Sequence, residues 1–285
     1  MKILFLGGGN MAQAMLTGLI AQKTPPGNMC VVEPLQGARD AVSQLGVDAF
    51  SSLTTNLLGC DAIVLAVKPQ MMKEAIAPLA DELNGQVVIS IAAGVNTSTL
   101  GFWLGGGVSP YANVVRAMPN TPALIRAGIT GLYAAVAVSE AGRQIANVLM
   151  GAVGKTVWFD DEAMLDAVTA VSGSGPAYVF YFIEALEQAA LELGFDSDGA
   201  RLFANQTFLG GAQLAISTNE SPGALRARVT SKRGTTECAI ETFEKHALKQ
   251  AIIEGVKAAC TRSRELGREL SASSAVPVGL AGGPV

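Results

Sequence analysis

Met1-Lys2-Ile3-Leu4-Phe5-Leu6-Gly7-Gly8-Gly9-Asn10-Met11-Ala12 opens the chain and decides its fold. The apolar run Ile3–Leu6 stops at three glycines, and a helical pattern over Met11–Gln22 follows at once. A short apolar run bounded by glycine reads as a buried strand. Gly7, Gly9 and Ala12 form G-x-G-x-x-A in a strand–turn–helix context. Gly7 permits the tight turn, Gly9 lets backbone approach a pyrophosphate, and Ala12 is small enough for close helix–strand packing. The helix N-terminus then offers free N–H groups and partial positive charge to phosphates. Glycine-rich turns are common, so the motif draws its weight from its place in the first βα turn.

Working outward, short β-branched runs alternate with amphipathic segments over the first 160 or so residues. Strands are expected at Ile3–Leu6, Cys30–Glu33, Ala62–Val67, Val87–Ile91, Val114–Arg116 and Gly131–Tyr133. Helices are expected at Met11–Gln22, Ala38–Leu45, Met71–Leu83 and Glu140–Val153. Continuous apolar strands separated by helices predict a mostly parallel sheet covered on both faces. After Trp158-Phe159-Asp160 the strand signals cease, and Asp161–Val171, Pro176–Leu193, Asp198–Ser217, Thr235–Lys245 and Leu248–Leu270 read as helices. Asp160, Asp161 and Asp198 are candidate caps, and Gly194 a candidate stop. The fold class expected is α/β: a Rossmann-like dinucleotide-binding domain over residues 1–160, then an all-helical domain over 161–270. Residues 271–285, rich in Ser, Ala, Gly and Pro, read as a frayed tail.

The helix after Pro176 is apolar nearly all round, with Phe182, Ile183, Leu186 and Ala190 on one side and Val179, Phe180, Ala185 and Ala189 on the other. Such a helix must be covered on all sides. We expect a second subunit to cover one of them; a dense monomeric bundle is the alternative.

At 285 residues, 49% of them apolar and 15% charged, the chain has material for two domains and a large interior. The net charge of −4 leaves no footprint for nucleic acid or an anionic membrane. Cys30, Cys60, Cys238 and Cys260 lie far apart without zinc-site spacing and read as reduced, buried thiols of a cytoplasmic protein. No signal peptide or membrane span is expected. Asp160-Asp161-Glu162 reads as a helix start, not a metal site, and His246, the only histidine, as a residue near a helix C-terminus.

Glu33 ends the second strand, 26 residues after Gly7, where a carboxylate suits an adenosine ribose; a turn carboxylate beside Pro34 is the competing reading. Glu33 would disfavour a 2′-phosphate and Arg39 would compensate, so NADPH and NADH both stay open. Val67-Lys68-Pro69-Gln70 and Ala92-Ala93-Gly94-Val95 fall at the carboxyl ends of strands, where open sheets bind ligands. Two hydroxyl-rich segments, Ser172-Gly173-Ser174-Gly175-Pro176-Ala177-Tyr178 and Val229-Thr230-Ser231-Lys232-Arg233-Gly234-Thr235-Thr236, open helices and can offer N–H and hydroxyl groups to an anion.

Phe5–Ala12, Ala66–Pro69, Ser90–Val95, Arg116-Ala117-Met118-Pro119-Asn120-Thr121-Pro122, Ser172–Tyr178 and Val229–Thr236 occur in the order seen in pyrroline-5-carboxylate reductases. The chain resembles that family over roughly residues 2 to 268. The resemblance implies NAD(P)H-dependent reduction of 1-pyrroline-5-carboxylate to L-proline, with the helical domains of two subunits interlocked, often within a ring of dimers. It implies a cofactor cleft lined by Leu6, Gly7, Gly9, Asn10, Met11, Ala12, Glu33, Ala66, Val67, Lys68, Pro69, Ala92, Ala93, Gly94 and Asn120. It implies a substrate site of Ser174, Gly175, Val229, Ser231, Gly234, Thr235 and Thr236, with the Thr236 hydroxyl as the catalytic contact to the ring nitrogen. The family commonly carries Gly where Arg233 stands; that cation either lies outward or hovers over the substrate carboxylate.

Two rival readings remain. A β-hydroxyacid dehydrogenase would need a lysine about one helical turn after its Gly-Ser-Gly turn, and Pro-Ala-Tyr-Val-Phe-Tyr-Phe-Ile-Glu contains none. A dinucleotide sensor without turnover would not need Ser231, Thr235 and Thr236.

Overall fold

The computed structural model describes residues 1–106 and 109–272. The chain divides into two units, Met1–Gly173 with the segment from Ala259 onward, and Ser174–Ala258.

The first unit is built on eight strands: β1 (Ile3–Leu6), β2 (Met29–Val32), β3 (Asp48–Phe50), β4 (Ala62–Leu65), β5 (Val87–Ser90), β6 (Val114–Met118), β7 (Gly128–Ala134) and β8 (Gly154–Trp158). They lie in the order β3-β2-β1-β4-β5-β6-β7-β8, parallel except between β6 and β7. The chain interleaves them with α1 (Asn10–Ala21), α2 (Gln36–Ser43), α3 (Met72–Ile76), α4 (Thr97–Leu104) and α5 (Glu140–Gly151), and α6 (Met164–Val168) follows. Every residue of β1, β4 and β5 is buried, as a strand covered on both faces requires. Strand order reverses between β1 and β4, which opens a crevice at their carboxyl ends.

The second unit is helical: α7 (Gly175–Glu192), α8 (Ser197–Ser217), α9 (Pro222–Arg228), α10 (Thr235–Lys245) and the start of α11 (Leu248–Ala272). Gly194, at φ +97°, ends α7: Phe195 N–H bonds the Ala190 carbonyl at 3.1 Å and Gly194 N–H that of Leu191 at 3.0 Å. Among the described residues no helix is long and apolar enough to cross a membrane.

Several expectations need correction. β3 and β8 lack an apolar run because they are the sheet's two edges, where one side of the ladder is free. The helix expected over Met71–Leu83 ends at Ile76, since Pro78 cannot donate within a helix, and Ala77–Leu79 continue as a 3₁₀ turn. α4 and α9 were not foreseen; Asn96 and Ser221 cap them by accepting from Thr99 N–H and Ala224 N–H. The cap of α8 is Asp196, accepting from Gly199 N–H at 2.7 Å, not Asp198. α11 runs two residues into the segment read as a tail, and 273–285 lie outside the described residues. Cys238 is exposed and the other three cysteines are half-buried, so not all four are buried thiols. Burial pushes the Cys30 thiol up to about 11.

Candidate functional site

The loop between β1 and α1 is held from both sides. Gly7, at φ +101°, donates its N–H to the Val32 carbonyl at 2.9 Å. A Cβ on Gly7 would stand 2.6 Å from the Ala66 carbonyl oxygen, so only glycine lets the loop lie against the end of β4. Ala66 N–H closes the same corner on the Leu6 carbonyl at 2.7 Å. Leu6, Gly7, Ala66 and Val67 are thereby brought together at the β1/β4 crevice. Gly9 is exposed, with open space where a Cβ would be, and it precedes α1 without a side-chain cap. The first N–H groups of a 12-residue helix are left for a ligand, beside buried Ala12. The Gln13 side chain braces the loop by donating to the Gly8 carbonyl at 2.7 Å. A glycine-shaped cradle with unclaimed helix N–H groups fits a dinucleotide pyrophosphate.

Glu33 acts as the turn carboxylate of the competing reading. Its Oε2 accepts from Gly8 N–H and its Oε1 from Leu35 N–H, each at 2.9 Å. The carboxylate therefore anchors the cradle, and each oxygen keeps a lone pair for a ribose hydroxyl. Arg39 is spent on the Glu33 and Pro34 carbonyls at 2.7 and 2.6 Å and on the Gln36 side chain.

Lys68 and Pro69 open a 3₁₀ turn after β4, with Lys68 exposed. Ala92, Ala93 and Gly94 follow β5, where Gly94 takes φ +78°. Asn120 uses its side-chain oxygen to accept from Ile129 N–H at 3.0 Å, joining the Met-Pro-Asn-Thr-Pro turn to the start of β7. Its turn-forming role is thus visible.

One part-buried network escaped the sequence reading. Glu162 accepts from Thr97 N–H at 2.7 Å, from the Thr97 hydroxyl at 2.8 Å and from Arg116 at 3.3 Å. Glu162 thus caps α4 from 65 residues away, which no local pattern announces. Among the described residues no cluster of three metal-ligating side chains occurs.

In the second unit, Ser174 and Gly175 start α7, with Pro176 in its first turn. The turn before it, Thr169–Gly173, is π-helical. The Tyr178 hydroxyl is buried without a hydrogen-bond partner among the described residues. Val229, half of a tight exit from α9, is exposed. The loop then closes through Gly234 N–H on the Ser231 carbonyl at 3.0 Å, and a Cβ on Gly234 would come 2.5 Å from Ser231 Oγ. Glycine is therefore what keeps the Ser231 hydroxyl against the mouth of α10. Gly234 precedes that helix without a side-chain cap, and the Thr235 and Thr236 hydroxyls make no hydrogen bond among the described residues. Ser231, Gly234, Thr235 and Thr236 are thus gathered at one helix N-terminus of 11 residues. Arg233 is exposed at φ +61°, a left-handed conformation costing an ordinary side chain about 1 kcal/mol. Its N–H donates to Glu237 at 2.5 Å. His246 ends α10, as expected of it.

Two family models match separate parts of the chain. A family described as pyrroline-5-carboxylate reductase dimerisation matches residues 162–266, and one described as NADP oxidoreductase, coenzyme F420-dependent, matches residues 2–94. A pyrroline-5-carboxylate reductase of Pseudomonas aeruginosa is 43% identical over 271 residues, 94% of this chain and 98% of the relative. A solved pyrroline-5-carboxylate reductase from Coxiella burnetii is 40% identical with a TM-score of 0.85, covering 93% of this chain and 98% of that one. The Plasmodium falciparum pyrroline carboxylate reductase, solved with NADP bound, is 27% identical with a TM-score of 0.83 over the same shares.

Proposed function

This chain belongs to the pyrroline-5-carboxylate reductase family, and we propose that it reduces 1-pyrroline-5-carboxylate to L-proline with the residues described above. It is an NAD(P)H-dependent oxidoreductase acting on a cyclic imine. The observation that carries the site assignment is the loop opening α10, where Gly234 holds the Ser231 hydroxyl beside the free hydroxyls of Thr235 and Thr236.

Ser231, Thr235 and the backbone at Gly234 take the substrate carboxylate, which the positive end of α10 favours. Val229 and the Ser174–Gly175 turn bound the pyrroline ring. The Thr236 hydroxyl hydrogen-bonds the ring nitrogen and holds the iminium in place. When bound, the nicotinamide supplies the hydride. An iminium accepts hydride readily, so the chain needs to orient and hold charge, and no lysine follows Gly175 on α7 to abstract a proton.

Cofactor contacts come from Leu6, Gly7, Gly9, Asn10, Met11 and Ala12 at the cradle, Glu33 at the ribose, and Ala66, Val67, Lys68, Pro69, Ala92, Ala93, Gly94 and Asn120 along the cleft. Residues 1–160 serve the cofactor and 161–270 serve dimerisation and substrate. The enzyme is cytoplasmic, and it self-associates through the helical domain into a dimer or a ring of dimers.

A matched pair of substrates tests the loop assignment. Ser231→Ala and Thr235→Val should each raise KM for 1-pyrroline-5-carboxylate about tenfold, in line with a lost hydrogen bond to a charged group. Neither should change KM for 1-pyrroline, which lacks the carboxylate. Equal effects on both substrates would remove the loop from carboxylate binding.

A further inference from the structure

Beside α11, the first unit contains a cavity of about 450 Å³ lined by Gly94, Asn96, Arg116, Asp166, Arg264 and Arg268. Two contacts frame it. The Ser263 hydroxyl donates to Asp166 Oδ1 at 2.7 Å, and Gly267 lies so near Gly94 that a Cβ on it would come 2.9 Å from the Gly94 carbonyl oxygen.

Arg116 is only 5% exposed, yet Glu162 is its one side-chain partner among the described residues, at 3.3 Å. A guanidinium carries five N–H donors, so most of this buried group's capacity is left for the cavity it lines. Arg264 and Arg268 stand one helical turn apart on α11 and form no ion pair among the described residues. The acidic residues next to them in sequence, Glu265 and Glu269, are both engaged by Arg262 instead. Three guanidinium groups thus meet two carboxylates, Glu162 and Asp166, and Glu162 is already shared with the Thr97 N–H and hydroxyl.

We propose that this cavity, which adjoins the cofactor cleft at Gly94 but lies outside the glycine-rich cradle, is an anion site for a small hydroxylated phosphate ester. Guanidinium forks match phosphate oxygens two at a time, and three of them around one space favour a dianion over a single carboxylate. Asp166 keeps one carboxylate oxygen free of Ser263, an acceptor for a hydroxyl on the same ligand. The volume falls in the lower half of the ligand-pocket range, roughly 300–1,000 Å³, which suits a small metabolite better than a dinucleotide.

The test is calorimetric titration of the full-length enzyme with glycerol phosphate at low ionic strength, after saturation with NADP⁺. Saturation fills the cradle first, and the heat of that step reports separately on the cofactor reading. Glycerol phosphate should then bind at one site per chain. Arg264→Gln and Arg268→Gln should each weaken it about tenfold, as expected for one charge-assisted contact, leaving the unfolding midpoint and NADP⁺ affinity unchanged. These exposed positions are chosen because Arg116→Gln would strand Glu162 and risk the fold. Absence of saturable binding to the NADP⁺-loaded enzyme, or affinity in both variants equal to that of the parent, would overturn the proposal.

Discussion

The two units solve the burial problem differently. In the first, Ile3, Leu4, Phe5 and Leu6 are at most 3% exposed, and the side chains of β4 and β5 are equally covered. Burying each large side chain contributes about 1.5–3 kcal/mol, so this unit carries its own core. In the second, none of the 18 residues of α7 is buried. Phe180, Tyr181 and Leu193 are 64%, 71% and 81% exposed, and Phe203 on α8 is 60% exposed. Contiguous exposed apolar side chains on adjacent helices mark an interaction face. The difference teaches that one unit is finished within the chain and the other is finished by self-association, which the match to a dimerisation family supports.

The sharpest way to break this comparison is Phe180→Asp, which places a carboxylate on the uncovered face. We expect the dimer dissociation constant to rise on the order of 1,000-fold, as for loss of an aromatic anchor, visible as a lower sedimenting mass. Cofactor affinity of the first unit should hold. An undisturbed dimer would move the interface elsewhere.

Thr236→Val probes the second unit's chemistry apart from its assembly. It should lower kcat/KM on the order of 100-fold, the effect of removing one oriented donor, with dimer mass and cofactor affinity unchanged. A smaller effect on kcat than on KM would make Thr236 a binding contact only.

Gly7→Ala reverses the comparison by damaging the self-contained unit. The added Cβ would meet the Ala66 carbonyl in a left-handed backbone. A stability loss of about 2 kcal/mol and at least tenfold weaker NADPH binding are expected, measured by denaturant unfolding and fluorescence titration. The smallest effect belongs to Arg233→Gly, which should stabilise the protein by about 1 kcal/mol by relieving its positive φ. A variant no more stable than the parent would mean that the Arg233 side chain offsets its own strain.

What was legible in the sequence follows the same line between units. β1, the glycine turn and α1 were readable because apolar run, special backbone and helix pattern sit next to one another. The boundaries of α10, Thr235–Lys245, were readable because Gly234 and His246 bracket it. β3 and β8 were not, because edge strands need no apolar run, and α4 was hidden by Thr, Ser and Gly in its own sequence. Glu162 illustrates the deeper limit: read as a helix-start acid, it instead caps α4 and holds Arg116, partners that only the folded chain assembles. The site residues were grouped by motif order, and the structure adds why Gly7 and Gly234 must be glycine there.

The most direct test of the central claim is loss of nicotinamide absorbance when the purified protein meets 1-pyrroline-5-carboxylate, run with NADPH and NADH in parallel. Rapid oxidation of at least one cofactor, with L-proline formed in equal amount, is the predicted result. Cofactor binding without turnover on the imine would contradict it, leaving a dinucleotide-binding fold whose second unit does other work.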